Sequence, residues 1–148
     1  MARKLQGRKA GKIAGKNYGN VLVVEDDAVL ALTIEQTLLD AGASQVETCA
    51  STAKAMEKLE SFSPQIAVLD VHLADSDNGW AIAELVTQIV HRKPRIIFST
   101  GTPEDVPEHI AQLGTVLAKP YSGEELIAAI DGADAKPGLI ARLRNSVA

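Results

Sequence analysis

The chain has 148 residues, of which 46% are apolar and 23% charged, a composition that predicts a single soluble globular domain with short tails. No apolar run is long enough to cross a bilayer, and no apolar segment follows the basic N-terminus as in a secretory signal. The single cysteine, Cys49, excludes an internal disulfide and a multi-cysteine metal site. We therefore expect a cytoplasmic protein in which Cys49 is a buried or half-buried apolar residue.

The net charge of −4 is unevenly distributed along the chain. The first twenty residues hold six of the fifteen basic residues and no acid, which leaves nine basic and nineteen acidic residues, or −10, for the remainder. The segment is rich in glycine, lysine and alanine and has no periodic apolar face, so residues 1–19 are predicted to form a disordered basic arm. We expect neither specific nucleic-acid binding nor a membrane partner, since the arm lacks interleaved aromatic residues and the body is acidic.

From residue 20 onward, short β-rich runs alternate with segments of helical spacing. Five such strand–helix units predict a parallel sheet covered by helices on both faces over residues 20–131, with a C-terminal tail at 132–148. The predicted strands are Val21–Val24, Gln45–Thr48, Ile66–Leu69, Ile96–Ser99 and Thr115–Leu117.

Apolar stripes and capping residues mark the helices. The first is defined by Leu30, Ile34, Leu38 and Ala41, with Gly42 as its stop signal and Asp27 as its predicted N-cap. Met56 with Leu59, then Ile82, Leu85 and Ile89, mark the second and third. Ser122 and Glu125 form a capping box ahead of the fifth, whose apolar face is Leu126, Ala129 and Ile130.

The fourth helix is predicted to be short or irregular, because Pro103 is followed by Pro107 only four residues later. Two prolines, Gly101 and few apolar anchors lead us to expect that residues 101–114 are mobile until the site is occupied.

Polar residues stand where four of the five predicted strands end. Glu25-Asp26-Asp27 follow the first strand, Asp70 follows the third, Ser99-Thr100 end the fourth, and Lys119 follows the fifth. Because ligands of open α/β sheets bind beyond the carboxyl ends of the strands, we expect these groups to meet at one edge.

These residue types indicate phosphoryl chemistry around a hard cation. Carboxylates brought together do not all ionise comfortably unless a cation shares the site, and oxygen-only ligands suit Mg²⁺. A lysine and a hydroxyl beside the metal would face the oxygens of a phosphoryl group. No glycine-rich phosphate loop follows the first strand, and no serine, cysteine or histidine nucleophile is paired with a base. A carboxylate nucleophile is the remaining covalent option.

The segments "VLVVEDDA", "IAVLDVHL", "IIFSTG" and "LAKPY", in this order and spacing, resemble the receiver domain of two-component response regulators over residues 20–131. The resemblance implies a flavodoxin-like fold with strand order 2-1-3-4-5, phosphorylated by a histidine kinase or phosphotransfer protein. It implies a stand-alone regulator, not an enzyme, that signals through a downstream protein or a phosphorelay.

Carried over residue by residue, the resemblance makes Asp70 the phospho-acceptor. Glu25 and Asp26 match the acidic pair that holds Mg²⁺, with Asp26 the more direct ligand, and the backbone carbonyl of His72 would be a further ligand. Thr100 and Lys119 match the hydroxyl and the lysine that sense the phosphoryl group. Pro120 matches a proline that typically follows a cis peptide bond.

Several positions depart from the family pattern. Val116 replaces an aromatic residue that often changes rotamer on activation, so output would use another route. Ala74 replaces a usual proline, and the loop before Gly79 is one residue longer. Pro107 alters the fourth helix, and "FSTG" is similar to an atypical single-domain group with a Phe-Ala-Thr-Gly-like fourth strand.

Two other functions remain open from the sequence. A receiver-shaped binding module that works without phosphorylation is favoured by Val116 and disfavoured by the intact Asp70, Thr100 and Lys119. A small phosphatase acting through an aspartyl phosphate is disfavoured because His72, not an acid, stands two residues after Asp70. Asp75 and Asp77 are interpreted as turn residues, and Trp80 and Tyr121 as partly buried packing residues.

Overall fold

A computed structural model describes residues 17–72, 80–89 and 93–132. Five parallel strands form one sheet in the order β2-β1-β3-β4-β5, which is the predicted order 2-1-3-4-5. The strands are β1 (Gly19–Val24), β2 (Ala43–Cys49), β3 (Ile66–Asp70), β4 (Arg95–Thr100) and β5 (Thr115–Ala118).

Helices cover both faces of the sheet and begin and end near the predicted signals. They are α1 (Ala28–Ala41), α2 (Thr52–Phe62), α3 (Trp80–Ile89), α4 (Glu108–Ala111) and α5 (Gly123–Gly132), with a 3₁₀ turn at Pro103–Asp105. The capping box is formed, since Ser122 N donates to Glu125 Oε1 (2.8 Å) and Glu125 N donates to Ser122 Oγ (3.1 Å). The fourth helix is a single turn that begins after Pro107, as the prolines predict.

The sheet separates two apolar clusters because successive strand residues point to opposite faces. Leu22 and Val24 pack with α2, α3 and α4 on one side, whereas Val21 and Val23 pack with α1 and α5 on the other. All five residues of β3 are buried, as expected of a central strand covered on both faces. Among the described residues, no helix is long and apolar enough to span a membrane.

Most of the predicted arm and tail lies outside the described residues. Within residues 17–19, Tyr18 is buried and Gly19 begins β1, and Gly132 ends α5. Cys49 is half-buried against the core, as predicted, and burial raises the pKa of its thiol to about 11.

Asp27 caps α1, as predicted. Its Oδ1 accepts hydrogen bonds from Val29 N (3.0 Å) and Leu30 N (3.1 Å). Asp27→Ala should therefore lower the free energy of unfolding by about 1 kcal/mol, whereas Asp27→Asn, which also caps well, should change it little. Urea denaturation would measure both variants, and an equal loss in the two would contradict a capping role.

Candidate functional site

Strand register brings three carboxylates together at the carboxyl edge of the sheet. Val24 pairs with Leu69, so the residues that follow them, Glu25 and Asp70, emerge side by side. Oxygens of Glu25, Asp26 and Asp70 all lie within 4.8 Å of one another. Glu25 is 3% exposed and Asp70 is 4% exposed, whereas Asp26 is open to solvent.

Backbone groups hold the two buried carboxylates in place. Glu25 N donates to Cys49 O (2.9 Å), which ties the end of β1 to β2, and Glu25 Oε2 accepts from Asp27 N (3.2 Å). Asp70 Oδ1 accepts from His72 N (3.0 Å). One oxygen of each carboxylate is thereby fixed by a main-chain N–H group.

Lys119 bridges the same two carboxylates with its ammonium group. Its Nζ lies 3.1 Å from Glu25 Oε1 and 3.6 Å from Asp70 Oδ2, so the closer ion pair is with Glu25. Lys119 N donates to Thr100 O (2.7 Å), and the Lys119–Pro120 peptide bond is cis, as predicted. This hydrogen bond joins the end of β5 to the end of β4 at the point where Lys119 contacts Glu25 and Asp70.

The electrostatics of the site show crowded negative charge only partly compensated by the lysine. Burial raises the pKa of Glu25, and the nearby Asp70 charge adds to this, although Asp27 N and Lys119 act in the opposite direction. Burial by itself would lower the pKa of Lys119, but the hydrogen bond that Lys119 donates to Glu25 and the charge of Asp70 outweigh it, and the net pKa is raised. Lys119 is therefore protonated at neutral pH.

Thr100 is buried at the end of β4, and its oxygen is held by the loop that follows. Thr100 Oγ1 accepts from Thr102 N (3.0 Å) and lies 3.4 Å from Thr102 Oγ1, which is in turn 3.2 Å from His72 Nε2. This polar chain connects the loop after Asp70 with the loop after Thr100. The sequence did not indicate Thr102 as part of this site.

The hydroxyl of Thr102 should stabilise the 3₁₀ turn at Pro103–Asp105, whose first hydrogen bond is accepted by Thr102 O. Thr102→Val removes the contact with His72 Nε2 but keeps the side-chain shape. Amide exchange at Asp105 and Val106, whose N–H groups bond back to Thr102 O and Pro103 O, should then become faster by about two- to tenfold, the factor that corresponds to one net hydrogen bond. Thr102→Ser should leave the exchange rate near that of the parent, and equal exchange in the parent and the valine variant would contradict this role.

The predicted mobility of residues 101–114 stays a prediction, although Val106 and Ile110 of this segment are buried in the core.

Tyr121 is half-buried, as predicted, and also has a polar contact that the sequence did not reveal. Its hydroxyl lies 2.8 Å from Ser99 Oγ, and burial raises its pKa. Val116 is 4% exposed and packs in the core near α4. A lone serine in the apolar run of β4 was the signal that could have indicated the Tyr121 contact, since a buried hydroxyl needs a partner.

Several residues singled out from the sequence lie outside the description. These are Ala74, Asp75, Asp77 and Gly79 in the loop after β3, together with the side chain of Trp80.

The donor set fits a hard divalent cation. It consists of oxygens only, it combines two buried carboxylates with one open to solvent, and it carries more negative charge than Lys119 neutralises. Mg²⁺ prefers a small number of carboxylates and retains waters, which suits a site open on the Asp26 side.

A doubly wound five-stranded domain with an acidic cluster and a lysine at its carboxyl edge defines a CheY-like receiver fold. A family model described as the response regulator receiver domain matches residues 21–131. The chain belongs to this family of two-component signalling domains, whose members typically bind Mg²⁺ at an acidic pocket and are phosphorylated. Receiver domains are signalling modules and not typical enzymes.

Individual relatives are distant. The transcriptional regulatory protein PdtaR of Mycobacterium tuberculosis is 26% identical over 130 residues, covering 86% of this chain, and the chain spans only 62% of that relative's length. The chemotaxis protein CheY of Bacillus subtilis is 25% identical over 113 residues, which cover 75% of this chain and 93% of CheY.

Solved structures agree on the fold. A response regulator receiver domain from Methylobacillus flagellatus superposes with a TM-score of 0.70 at 20% identity, covering 78% of this chain and 98% of that one. A signal receiver domain from Bermanella marisrubri superposes with a TM-score of 0.67 at 27% identity, covering 78% of this chain and 97% of that one.

Proposed function

We propose that this protein is a cytoplasmic response regulator that accepts a phosphoryl group on Asp70 from a phosphohistidine of a histidine kinase or phosphotransfer protein. The observation that carries the proposal is the position of Asp70: a buried carboxylate within 4.8 Å of two others and 3.6 Å from the ammonium of Lys119. The phosphorylated domain then acts on a downstream protein or passes the phosphoryl group along a relay.

In the transfer step, an oxygen of the Asp70 carboxylate forms the new P–O bond while the P–N bond of the donor phosphohistidine breaks. The imidazole leaves with the electron pair of that bond and takes up a proton. Asp70 Oδ2 is the oxygen that faces Lys119, whereas Oδ1 already accepts from His72 N, so we assign Oδ2 as the nucleophile. Lys119 compensates the negative charge that the phosphoryl group adds beside the carboxylates.

Glu25, Asp26, Asp70 and the backbone carbonyl of His72 are the groups proposed to hold Mg²⁺. When bound, the ion would neutralise part of the charge that the carboxylate and the phosphoryl oxygens bring together. Glu25 and Asp70 are held by main-chain N–H groups before any ion arrives, so little rearrangement of these two is needed.

Thr100 and Lys119 are proposed to sense the phosphoryl group. Thr100 Oγ1 accepts from Thr102 N, which directs the lone pair toward the loop and leaves the hydroxyl proton available to donate. Lys119 N donates a hydrogen bond to Thr100 O, so a movement of either residue displaces the other. Residues 101–114, which follow Thr100, are the segment we expect to respond.

A second candidate is a receiver-shaped binding module that works without phosphorylation. Val116 supports it, because this small β-branched side chain is buried and cannot make the rotamer change of an aromatic switch. The complete set of Asp70, Thr100 and Lys119 at one edge argues for the phosphorylated alternative.

Chemical trapping of the product distinguishes the two candidates. The purified chain is incubated with Mg²⁺ and a small phosphoramidate donor, then reduced with borohydride, which converts an aspartyl phosphate to homoserine. We expect homoserine at position 70, found by peptide mass spectrometry. Homoserine at another aspartate would overturn the assignment of Asp70, and its absence throughout would favour the binding module.

A further inference from the structure

A groove of about 550 Å³ lies between α1 and α5, and none of its lining residues belongs to the phosphorylation site. Ala41, Ile127 and Ala128 give it an apolar lining, and Asp40, Glu124 and Asp131 give it an acidic rim. Asp40 and Glu124 are exposed to solvent. This surface therefore fits a ligand that carries an apolar side chain flanked by positive charge.

Tyr18, the second described residue, lies beside this groove. Tyr18 is 4% exposed, its hydroxyl donates to Asp131 Oδ1 (2.8 Å), and its N–H donates to the carbonyl of Gly42, just after α1 (3.4 Å). Tyr18 thus bonds to a rim residue of α5 and to the residue that directly follows α1. The described chain therefore begins at Asn17, next to a residue that bonds to both sides of the groove.

The sequence before Asn17 has the chemistry that the groove lacks. Residues 1–16 contain six basic residues and no acid, and Lys12, Ile13 and Lys16 are among the five residues that directly precede Asn17 in the sequence. An extended chain covers about 3.3–3.6 Å per residue, so the five residues 12–16 span roughly 17 Å, comparable with the ~15 Å length of a ten-residue helix such as α5.

We propose that residues 12–16 dock in the α1–α5 groove of their own chain. In this arrangement Ile13 contacts the apolar lining, and Lys12 and Lys16 pair with Asp40 and Glu124. Asp131 already accepts from Tyr18, and Arg95 donates to Ile130 O at the same end, so the exposed acids left for the arm are Asp40 and Glu124. Exposed charge pairs are individually weak, but the short tether gives the segment a high effective concentration at the groove.

Docking would give the basic arm a defined place on the domain. A partner protein that uses the α1–α5 face would have to displace the segment first. The proposal does not depend on phosphorylation of Asp70, because the groove and the acidic cluster share no residue.

Charge reversal in the full chain tests the docking. Amide shifts of Asp40, Gly123, Ile127 and Ala128 should differ between the parent and Lys12→Glu/Lys16→Glu at low salt, and the difference should vanish in high salt. Adding Asp40→Lys/Glu124→Lys to the arm variant should restore the pairing. Tryptic cleavage after Lys12 in the parent should be slower at low than at high salt by roughly threefold relative to an unstructured peptide of residues 1–16, the size expected of two exposed pairs.

Matched controls distinguish docking from general charge effects. Arg3→Glu/Lys4→Glu changes the far end of the arm by the same charge, and Glu57→Lys/Glu60→Lys changes an exposed face of α2; neither should alter the groove resonances. Ile13→Ser should reduce the salt-dependent amide shift differences of the groove residues, whereas Leu5→Ser should leave them unchanged. The proposal would be overturned if the amide shift differences appear at Glu25, Asp26 and Asp70, if they depend on protein concentration, or if the groove residues show none. Dispersed core resonances would show that each variant is folded.

Discussion

Asp70→Asn should reduce incorporation of phosphate from a phosphoramidate or a phosphorylated histidine kinase to the background level. The amide has nearly the shape of the carboxylate, and its oxygen can still accept from His72 N, but it is a poor nucleophile toward phosphorus. The variant should also fold, because it removes one of three crowded negative charges. Labelling with radioactive donor, together with the thermal midpoint, would measure both consequences.

The nearby aspartates provide the control for this result. Asp75→Asn and Asp77→Asn change the loop that follows Asp70 in sequence, and each should label like the parent protein. Full labelling of Asp70→Asn, or its loss in either loop variant, would contradict the assignment of Asp70 as the acceptor. A failure here would leave the arm docking unaffected, since that test needs no phosphodonor.

Much of the fold could be predicted because the sequence marks both ends of most elements. Gly42 follows the end of α1, and the capping box at Ser122 and Glu125 lies at the start of α5, both where predicted. The buried run of β3 is continuous because both of its faces are covered. The strand β2 begins at Ala43, two residues before the predicted start. Edge strands carry polar residues on their open side, and the exposed Ser44 weakened the apolar pattern there.

Helix faces were predicted less accurately than helix positions. The buried side of α3 includes Ile82, Ala83 and Val86, whereas Leu85, which we assigned to the stripe, is only half-buried. Alanine carries little weight in an apolar pattern, yet it fits where a helix approaches the sheet closely. The stripe is therefore rotated by about one residue from the prediction.

The site shows the same division between what the chain order determines and what packing determines. Glu25, Asp70, Thr100 and Lys119 come together because parallel strands deliver their carboxyl ends to one edge. That Lys119 lies closer to Glu25 than to Asp70, and that Tyr121 bonds to Ser99, depends on side-chain rotamers across the sheet. Such contacts have no sequence spacing from which they could be inferred.

Mg²⁺ should stabilise the folded protein, and Glu25 should determine by how much. A ligand that binds only the folded state at about a hundred times its dissociation constant adds about 2.7 kcal/mol, or roughly 5–11 °C in Tm for a chain of this size. Glu25→Gln should lose most of this gain, because one of the three clustered carboxylates becomes neutral. Asp27→Asn is the matched control, since Asp27 lies two residues away, caps α1 and is outside the cluster.

Without Mg²⁺ the same substitution should act in the opposite direction. The pKa of Glu25 is raised in the folded state, mainly by burial, so the stabilisation associated with its protonation is complete below the ordinary value of 4.5 and is lost as pH rises through the raised value. Glutamine resembles the protonated form at every pH, so Glu25→Gln should have the higher Tm near neutral pH in chelator and a flatter pH profile. Thermal melts with Mg²⁺ and with EDTA would measure both signs. A variant that is less stable than the parent in EDTA would show that the ion pair of Glu25 with Lys119 outweighs the cost of burying the carboxylate.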